Sequence, residues 1–382
     1  MKRVAVALLA LILVMGMVPV RGRALELDVA GKGAVLMDLA TGTVLYEKSP
    51  HERLSPASVT KVMTMLLIME AIDSGRIGWD DTVTASESAA AKGGSQIYLK
   101  VGETMTVRDL VKSIAVSSAN DAACAMAEHI AGSESAFVSL MNQRAKELGM
   151  NDTNFVNCTG LDDAEEAKEH LTSAYDIAVM SRELLKNHPD IMKFSTIWMD
   201  SVRGGEFGLS NTNKMVRFYD GCTGLKTGYT SGAGFCLSAS AEREGLGLIA
   251  VVLGCETSQE RFSACKSMLD YGFANFALVT PEAPKDASVP VTLGVTDTVA
   301  AVPGEDTALL IDKSQRDQVT VTVELESTVA APVSKGQRLG TMTVRAGEQV
   351  LAQIPMIAAE GVPRLTFGEL FLEVLRRIVM AK

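Results

Sequence analysis

The stretch Leu54-Ser-Pro-Ala-Ser-Val-Thr-Lys61 contains a serine and a lysine three positions apart, and it leads directly into the apolar run Val62–Met69. If this part of the chain is a helix, positions i and i+3 lie on the same face, so that Ser58 and Lys61 can touch. The apolar turns that follow would bury the pair inside a domain. Because a hydroxyl beside an amine in a dry environment can act as a nucleophile beside its base, the stretch is a candidate catalytic centre.

Ser-x-x-Lys is weak evidence by itself, because about one match is expected by chance in a chain of this size. Indeed, Ser263-Ala-Cys-Lys266 is a second match. Two further motifs separate the two matches, since Ser118-Ala-Asn120 and Lys226-Thr-Gly228 follow Ser58 in that order. Ser263 comes after both of them, and we therefore interpret it as a residue on the surface of a structural helix.

The length of 382 residues predicts two domains, because a single core rarely grows to this size. The first part of the chain opens with a β-hairpin signal at 33–38 and 42–47. Further elements are predicted as helices at 58–74, 107–116, 122–130, from 133 or 135 to 148, and 171–186. Strands are predicted at 196–202, 221–226, 233–241 and 246–254, and a last helix at 258–276. Strands at both ends with helices between them predict one α/β (α+β) domain at 25–280, whose sheet is closed by distant parts of the chain.

A second domain, all β, is predicted at 281–360. The segment 279–284 is typical of a linker, and Val319–Glu326 alternates apolar and polar side chains as a half-buried strand does. Similar short β runs at 289–302 and 340–354 complete the pattern of a small β-sandwich.

The first 24 residues have the pattern of an export signal. Lys2 and Arg3 precede the apolar run Val4–Val20, and cleavage is expected after Ala24. A retained N-terminal membrane anchor is the alternative. With either interpretation the rest of the chain is expected to be exported.

The tail at 361–382 predicts an amphipathic helix, because its apolar residues follow i, i+3, i+4, i+7 spacing while charged residues occupy other positions. The apolar residues are Phe367, Leu370, Phe371, Val374, Leu375, Ile378 and Val379. A charged helix of this length is expected to lie on a bilayer surface rather than to cross it. Packing against the β-domain is the alternative.

Composition excludes some classes of function. The formal net charge of −10 argues against a nucleic-acid partner, because phosphate binding needs a basic surface. The six cysteines would allow disulfides in an exported chain, but a domain of this size does not need them, and buried free thiols are the favoured interpretation. The four histidines lack ligand spacing, so neither a metal nor an organic cofactor is expected.

The three motifs in this order are the signature of penicillin-binding proteins and serine β-lactamases. With the flanks Pro56–Lys61, Ser118–Ala122 and Gly224–Thr230, the chain resembles the low-molecular-weight D-alanyl-D-alanine carboxypeptidases, as do Glu147–Met150 and Thr153–Leu161. The resemblance extends from about residue 30 to the C terminus. It implies a penicillin-binding or β-lactamase-like domain, in which helices cover both faces of an antiparallel sheet, followed by the β-sandwich and an anchoring tail.

The resemblance also implies an activity, namely removal of the terminal D-alanine from peptidoglycan pentapeptide through an acyl-serine intermediate. It implies that β-lactam antibiotics are covalent inhibitors. The tail would attach the protein to a membrane surface, and the protein would work at the outer face of the cytoplasmic membrane or in the cell wall.

Catalytic roles follow from the same comparison. Ser58 is expected to attack the peptide carbonyl with Lys61 as its base. Lys61 can accept a proton only when it is neutral, and both burial and a second cation at Lys226 would lower its pKa. Ser118 could relay the proton to the leaving amine, while Asn120 would hold Lys61 and bind the amide oxygen of the substrate.

Substrate binding is expected along the Lys-Thr-Gly segment. Lys226 and Thr227 would bind the terminal carboxylate, and Gly228 would let the substrate strand approach the backbone closely. In the family the oxyanion is held by two backbone N–H groups, which correspond here to Ser58 and Tyr229.

Alternatives remain open for one residue and for the activity. Arg261 matches a family position that helps to recognise the carboxylate, although an arginine on a helix is commonly a solvated charge. A class A β-lactamase would need a deacylating glutamate, and Glu165 and Glu166 lie in the right region without the Leu-Asn flank. An endopeptidase or transpeptidase would use the same motifs. A catalytically dead wall-binding protein is disfavoured by the intact motif residues.

Overall fold

The computed structural model describes residues 27–163 and 165–380, so the predicted export signal at 1–24 lies outside the described residues. The strands are β1 (Gly33–Asp38), β2 (Val44–Lys48), β3 (Thr82–Thr84), β4 (Thr104–Thr106), β5 (Met199–Val202), β6 (Phe207–Ser210), β7 (Cys222–Thr230), β8 (Gly234–Arg243), β9 (Leu246–Cys255), β10 (Phe276–Val279), β11 (Ser288–Thr292), β12 (Thr298–Pro303), β13 (Leu309–Asp312), β14 (Val319–Leu325), β15 (Val329–Ala330), β16 (Arg338–Ala346) and β17 (Gln349–Ala358). The α-helices are α1 (Lys61–Asp73), α2 (Glu87–Ala90), α3 (Val107–Ser117), α4 (Asn120–Ala131), α5 (Glu134–Glu147), α6 (Ala174–Asn187), α7 (Met192–Ser195), α8 (Met215–Phe218), α9 (Ser258–Asn275) and α10 (Phe367–Met380). Short 3₁₀-helices cover Ala57–Thr60, Glu165–Glu169, Pro189–Ile191, Arg203–Gly205 and Lys313–Gln318.

Five antiparallel strands form the central sheet, in the order β2-β1-β9-β8-β7. β9 is the run Leu246–Cys255, and it is buried along nearly its whole length, as expected of a strand that is covered on both faces. β1 comes from the start of the chain and pairs with β9, so that Gly33 lies opposite Leu253. This pairing confirms that distant parts of the chain close the sheet.

Helices cover both faces of this sheet, which confirms the predicted fold class. On one face α9 packs against β8 and β9, in a core that includes Leu237, Leu248 and Met268. On the other face α6 packs against β1 and β9, within a larger core that includes Val35 and the apolar residues of α1.

The helix that follows Ser58 is buried almost all round. Every residue from Lys61 to Met69 is buried, and so is Ala71. Each fully buried Leu, Ile or Met side chain in such a core helix contributes roughly 1.5–3 kcal/mol. This apolar burial offsets the cost of placing the Lys61 amine in the same core. The helical segment covers the predicted range, but its first turn, Ala57–Thr60, is a 3₁₀-helix.

α3 and α4 meet in the polar turn that carries Ser118. Thr106 caps α3, because its Oγ1 accepts a hydrogen bond from Asp109 N at 3.1 Å. Ser118 ends α3 in the left-handed conformation with φ 62°, and its N–H donates to Ile114 O. α4 begins at Asn120, so the motif is fixed between two helix ends.

The strands after α9 form an all-β unit with its own core, as predicted. β10 pairs with β13, and six strands form a second sheet in the order β14-β16-β17-β12-β11-β15. The core of this unit includes Val289, Met342, Ile354 and Met356. β14 alternates between half-buried and exposed residues, which confirms its prediction as a half-buried strand.

In the first domain, two strand boundaries differ from those predicted by three residues or more. β5 begins at Met199 rather than at 196, because the residues before it form α7 and the turn that ends it. β7 continues past Lys226 to Thr230, because the Lys-Thr-Gly residues extend the pairing with β8, with Gly228 opposite Cys236.

The predicted tail helix is present as α10. Phe367 and Phe371 on this helix are 85% and 56% exposed. Within the ranges 27–163 and 165–380, no helix combines the length and the apolarity needed to cross a bilayer.

Candidate active site

Ser58 and Lys61 touch at the start of α1. Ser58 lies in the 3₁₀-turn and Lys61 is the first residue of the α-helix. Lys61 Nζ donates hydrogen bonds to Ser58 Oγ at 2.9 Å and to Thr159 O at 2.8 Å. The helical spacing therefore brings the hydroxyl and the amine together, as the Ser-x-x-Lys pattern predicts.

The Lys61 amine lies in a dry environment. The residue is fully buried, and burial lowers its pKa to about 7 in spite of the opposing effects of Cys158 and Asp121. About half of the Lys61 side chains are therefore neutral near pH 7. A neutral amine in contact with a serine hydroxyl can accept its proton.

Lys226 is the second buried amine of the site. It is 1% exposed, and its Nζ donates to Thr227 O at 2.8 Å. Burial holds its pKa well below the usual lysine range, and the charges of Lys61 and Arg261 lower it further. Repulsion between the two lysines was expected, but the largest effect on each pKa is burial. In the part of the chain that the structure describes, neither amine is in an ion pair.

Asn120 is oriented by the backbone rather than by Lys61. Its Nδ2 donates to Gly93 O at 2.7 Å, while its Oδ1 is buried and has no partner among the described residues. Because a buried acceptor without a partner is costly, this oxygen is available to a substrate donor. The expectation that Asn120 holds Lys61 needs correction, since the carbonyl of Thr159 takes that position. Ser118 lies two residues away, only 3% exposed.

The loop that supplies the Thr159 carbonyl was not predicted to contact the lysine. Asn157 Oδ1 accepts hydrogen bonds from Thr159 N at 3.1 Å and Gly160 N at 2.6 Å, which closes a tight turn. Gly160 has φ 81°, and a Cβ on it would lie 1.8 Å from Ala57 O. The loop thus fits against the 3₁₀-turn of the nucleophile. The Asn-x-x-Gly pattern predicts a turn, but not the position of its carbonyl.

β7 lies directly against the backbone of the nucleophile. A Cβ on Gly228 would lie 2.6 Å from Pro56 O and 3.1 Å from Ser58 N, so a larger residue would have to displace one of these segments. Tyr229 follows Gly228 and is 55% exposed, and its ring stacks on that of Phe235 with centroids 4.3 Å apart. The edge of β7 therefore brings the backbone of Tyr229 next to that of Ser58.

Thr227 has a partner that the sequence does not suggest. Its Oγ1 donates to Thr212 Oγ1 at 2.7 Å, and Thr212 N donates to Val116 O at 3.1 Å. Asn213 Nδ2 donates to Gly224 O at 2.9 Å and fastens the same loop to β7. Thr212 thus lies between α3 and β7. The polar Asn-Thr-Asn sequence is its only signal, and it carries no motif.

Arg261 lies behind β7 and is 8% exposed. Its Nη1 donates to Gly228 O at 2.8 Å and to Cys236 O at 3.4 Å. Its guanidinium also lies over the rings of Phe235 and Phe262. The alternative of a solvated charge is wrong, because the side chain is buried and fastens the Lys-Thr-Gly strand. Its direct contact with a carboxylate stays a prediction.

A buried histidine lies near the nucleophile without serving as its base. His170 Nδ1 accepts from Val156 N at 3.0 Å, so its Nε2 donates to Thr60 Oγ1 at 2.8 Å. Burial and then the charge of Lys61 lower the pKa of His170 to about 4. The imidazole is therefore neutral and bonded to Thr60 rather than to Ser58.

The remaining candidate groups have structural partners. Ser263 is exposed on α9, far from the other motifs in sequence order, as predicted. Carboxylates of Glu70 and Glu183 lie near His188, but Arg144 binds both of them at 2.7 Å, which leaves that cluster without a free pair of ligands. All six cysteines are free thiols, and each is buried or half-buried.

Comparisons with known proteins agree with this geometry. The family model for D-alanyl-D-alanine carboxypeptidase matches residues 21–257, and that for the C-terminal domain of penicillin-binding protein 5 matches 277–364. The D-alanyl-D-alanine carboxypeptidase DacF of Bacillus subtilis (strain 168) is 44% identical over 351 residues, which cover 90% of this chain and 89% of the relative.

Solved structures give the same result. Penicillin-binding protein 5 from Haemophilus influenzae aligns with a TM-score of 0.75 and 30% identity, over 88% of this chain and 98% of that chain. Penicillin-binding protein D2 from Listeria monocytogenes in its ampicillin-bound form aligns with a TM-score of 0.59 and 30% identity, over 65% of this chain and 99% of that chain. The chain therefore belongs to the D-alanyl-D-alanine carboxypeptidase family of penicillin-binding serine peptidases.

Proposed function

We propose that the protein is a serine-type carboxypeptidase, which removes the terminal D-alanine from peptidoglycan pentapeptide. The observation that carries the proposal is the 2.9 Å contact between Ser58 Oγ and Lys61 Nζ, in a buried site where the pKa of the lysine is about 7. The neighbouring Lys-Thr-Gly strand offers the amine of Lys226, whose charged form a substrate with a free terminal carboxylate would favour.

Acylation begins when neutral Lys61 takes the proton of Ser58 Oγ, which attacks the carbonyl carbon of the penultimate D-alanine. The N–H groups of Ser58 and Tyr229 would stabilise the oxyanion that forms. Ser118 relays a proton from Lys61 to the nitrogen of the scissile bond. The C–N bond then breaks, D-alanine leaves with a neutralised amine, and the rest of the peptide stays on Ser58 as an ester.

Deacylation reverses the roles of the same groups. Lys61 takes a proton from water, the hydroxide adds to the ester carbonyl, and the proton returns to Ser58 Oγ as the C–O bond breaks. A class A β-lactamase would use a glutamate in this step. Glu165 lies in an exposed 3₁₀-helix with its side chain 81% exposed and paired with Lys168, which favours the carboxypeptidase over the β-lactamase.

β-Lactams are expected to acylate Ser58 and to inhibit the protein, in line with the ampicillin-bound and cefotaxime-bound structures of the Listeria relative. Labelling with fluorescent penicillin tests the nucleophile. Labelling should be lost in Ser58→Ala and kept in Ser263→Ala, the matched serine of the second Ser-x-x-Lys. Persistent labelling of Ser58→Ala would show that another residue is the nucleophile.

The substrate needs its own experiment, because an endopeptidase or transpeptidase would also be labelled. Incubation with a pentapeptide that ends in D-Ala-D-Ala should release free D-alanine and tetrapeptide. Cleavage of a cross-bridge without release of terminal D-alanine would establish the endopeptidase instead. Rapid hydrolysis of the penicilloyl enzyme would point to the β-lactamase.

We further propose that the protein is exported and attached to a membrane surface by α10. Three large apolar side chains of this helix, those of Phe367, Phe371 and Leu375, are exposed, and their contact with water is unfavourable. Insertion of these side chains into a membrane surface would remove that contact. Truncation after Pro363 should release the protein from membranes in a sedimentation assay. Continued sedimentation of the truncated protein would indicate the retained N-terminal anchor.

A further inference from the structure

Lys92 and Glu134 form an ion pair that does not touch the reacting atoms. Lys92 Nζ and Glu134 Oε2 lie 2.5 Å apart, and the two side chains are 22% and 19% exposed. Glu134 is the first residue of α5, whose preceding Ser133 caps the helix. A partly buried pair on a helix terminus is more firmly held than a pair on an open surface.

The pair connects two segments that each carry a carbonyl of the active site. Glu134 Oε1 accepts hydrogen bonds from Cys158 N and Cys158 Sγ, both at 3.2 Å. Cys158 directly precedes Thr159, whose carbonyl accepts from Lys61. Lys92 directly precedes Gly93, whose carbonyl accepts from Asn120. One orienting carbonyl therefore directly follows Lys92 in the chain, and the other directly follows Cys158, which is hydrogen-bonded to Glu134.

Near neutral pH the Glu134 carboxylate is charged and the Cys158 thiol is protonated, so the ion pair and the bond to Cys158 are both present. Burial alone would raise the pKa of Glu134, but the hydrogen bond and charge of Lys92 hold it below its usual range. The contact with Cys124, together with burial, raises the pKa of the Cys158 thiol well above its usual range. The thiol thus stays protonated and donates to the carboxylate.

We propose that the Lys92–Glu134 clamp, meaning this ion pair with its bonds to Cys158, is a positioning device for catalysis. It fixes the distance between the Gly93 and Thr159 carbonyls, and thereby the placement of Asn120 relative to Lys61. The proposal rests on the proposed function only in that both concern the acylation of Ser58. Because a misplacement of about 1 Å can cost a hundredfold in rate, a small relaxation of the clamp is measurable.

The test is a double-mutant cycle with Lys92→Met, Glu134→Gln and the double variant, read as the rate constant of acylation by penicillin. Each single variant should lower this constant at least about tenfold. The double variant should be no slower than the slower single variant, because either substitution already opens the clamp. Lys92→Arg should restore most of the rate. Thermal unfolding of each variant establishes the folded fraction.

The matched control is Arg144→Met, which removes the ion pairs of an arginine that lies elsewhere on α5 and is 22% exposed, as Lys92 is. It should lower the stability while the acylation constant of the folded protein stays unchanged. Wild-type acylation in the single variants, additive losses in the double variant, or a Lys92→Arg variant as slow as Lys92→Met would each overturn the clamp. If Glu134→Gln does not fold, the comparison of Lys92→Met with Lys92→Arg decides. A wild-type protein that is acylated but releases no D-alanine would refute the proposed function alone.

Discussion

Replacement of Lys61 by methionine should inactivate the protein and at the same time stabilise it. Burial lowers the pKa of Lys61 to about 7, against about 10.4 for an exposed lysine. The difference corresponds to about 4–5 kcal/mol that the fold loses by burying an amine which the unfolded chain protonates. Methionine fills a similar unbranched volume and carries no charge.

The sign of the pH dependence follows from the same values. Because the folded pKa lies below the unfolded one, the unfolded state binds more protons between about pH 7 and 10. Wild-type stability therefore rises with pH across this window, and the full cost of burial is present below pH 7. Lys61→Met loses the two hydrogen bonds to Ser58 and Thr159, worth about 1 kcal/mol each. The variant should therefore be more stable than the wild type by roughly 2 kcal/mol at pH 7, with the difference falling as pH rises.

Two assays follow the two effects. Denaturant unfolding of the catalytic domain between pH 6 and 10 measures stability, and penicillin acylation measures activity, which should fall about 10³-fold with the loss of the general base. Lys168→Met is the control, since this lysine is 72% exposed and pairs with Glu165 at the surface. A Lys61→Met variant that is less stable than the wild type at every pH would refute the burial argument. Acylation at the wild-type rate would show that another group takes the proton.

Two further substitutions test the substrate side of the site. Gly228→Ala should lower the acylation rate about a hundredfold, because the new Cβ would lie 2.6 Å from Pro56 O. Gly208→Ala is the control, since a Cβ on Gly208 meets no atom within 4 Å. Equal effects of the two substitutions would contradict the close approach of β7 to the nucleophile. Thr212→Val should lower kcat/KM about tenfold for a peptide with a free terminal carboxylate, because Thr212 is the hydroxyl partner of Thr227. The loss should be much smaller for the corresponding peptide amide, and Thr212→Ser should restore the rate. An equal loss with both peptides would exclude a role of Thr212 in carboxylate binding.

Sequence patterns were sufficient for those parts of the site that depend on spacing along one element. Ser58 and Lys61 meet because a helical turn brings positions i and i+3 together. The break between α3 and α4 follows from the polar run around Ser118. The closure of the sheet by β1 and β9 follows from apolar strands at both ends of the domain. In each case the spacing of the residues along the chain predicts one local arrangement.

Contacts made by backbone carbonyls were not predictable in the same way. Thr159 and Gly93 act through their C=O groups, which every residue possesses, so no residue type marks the position. Their roles depend on how two loops approach Lys61 and Asn120 after folding. Thr212 and Arg261 illustrate a second limit, because a threonine in a loop and an arginine on a helix have many ordinary functions. What distinguishes them is the hydrogen bond that each makes, with Thr227 Oγ1 in the case of Thr212 and with Gly228 O in the case of Arg261.

The two buried lysines explain how one site can bind an anionic substrate and still keep a neutral base. In the free site burial lowers the pKa of both amines, and the charge of Lys61 lowers that of Lys226 further, so the two lysines together hold fewer than two protons near pH 7. A substrate carboxylate beside Lys226 would favour the charged form of that lysine. Because the charge on Lys226 and that on the carboxylate largely cancel at Lys61, the base keeps the lowered pKa that burial gives it. The site can thus bind a peptide with a free C-terminal carboxylate while its base stays partly neutral, and this is the catalytic use of burying Lys226.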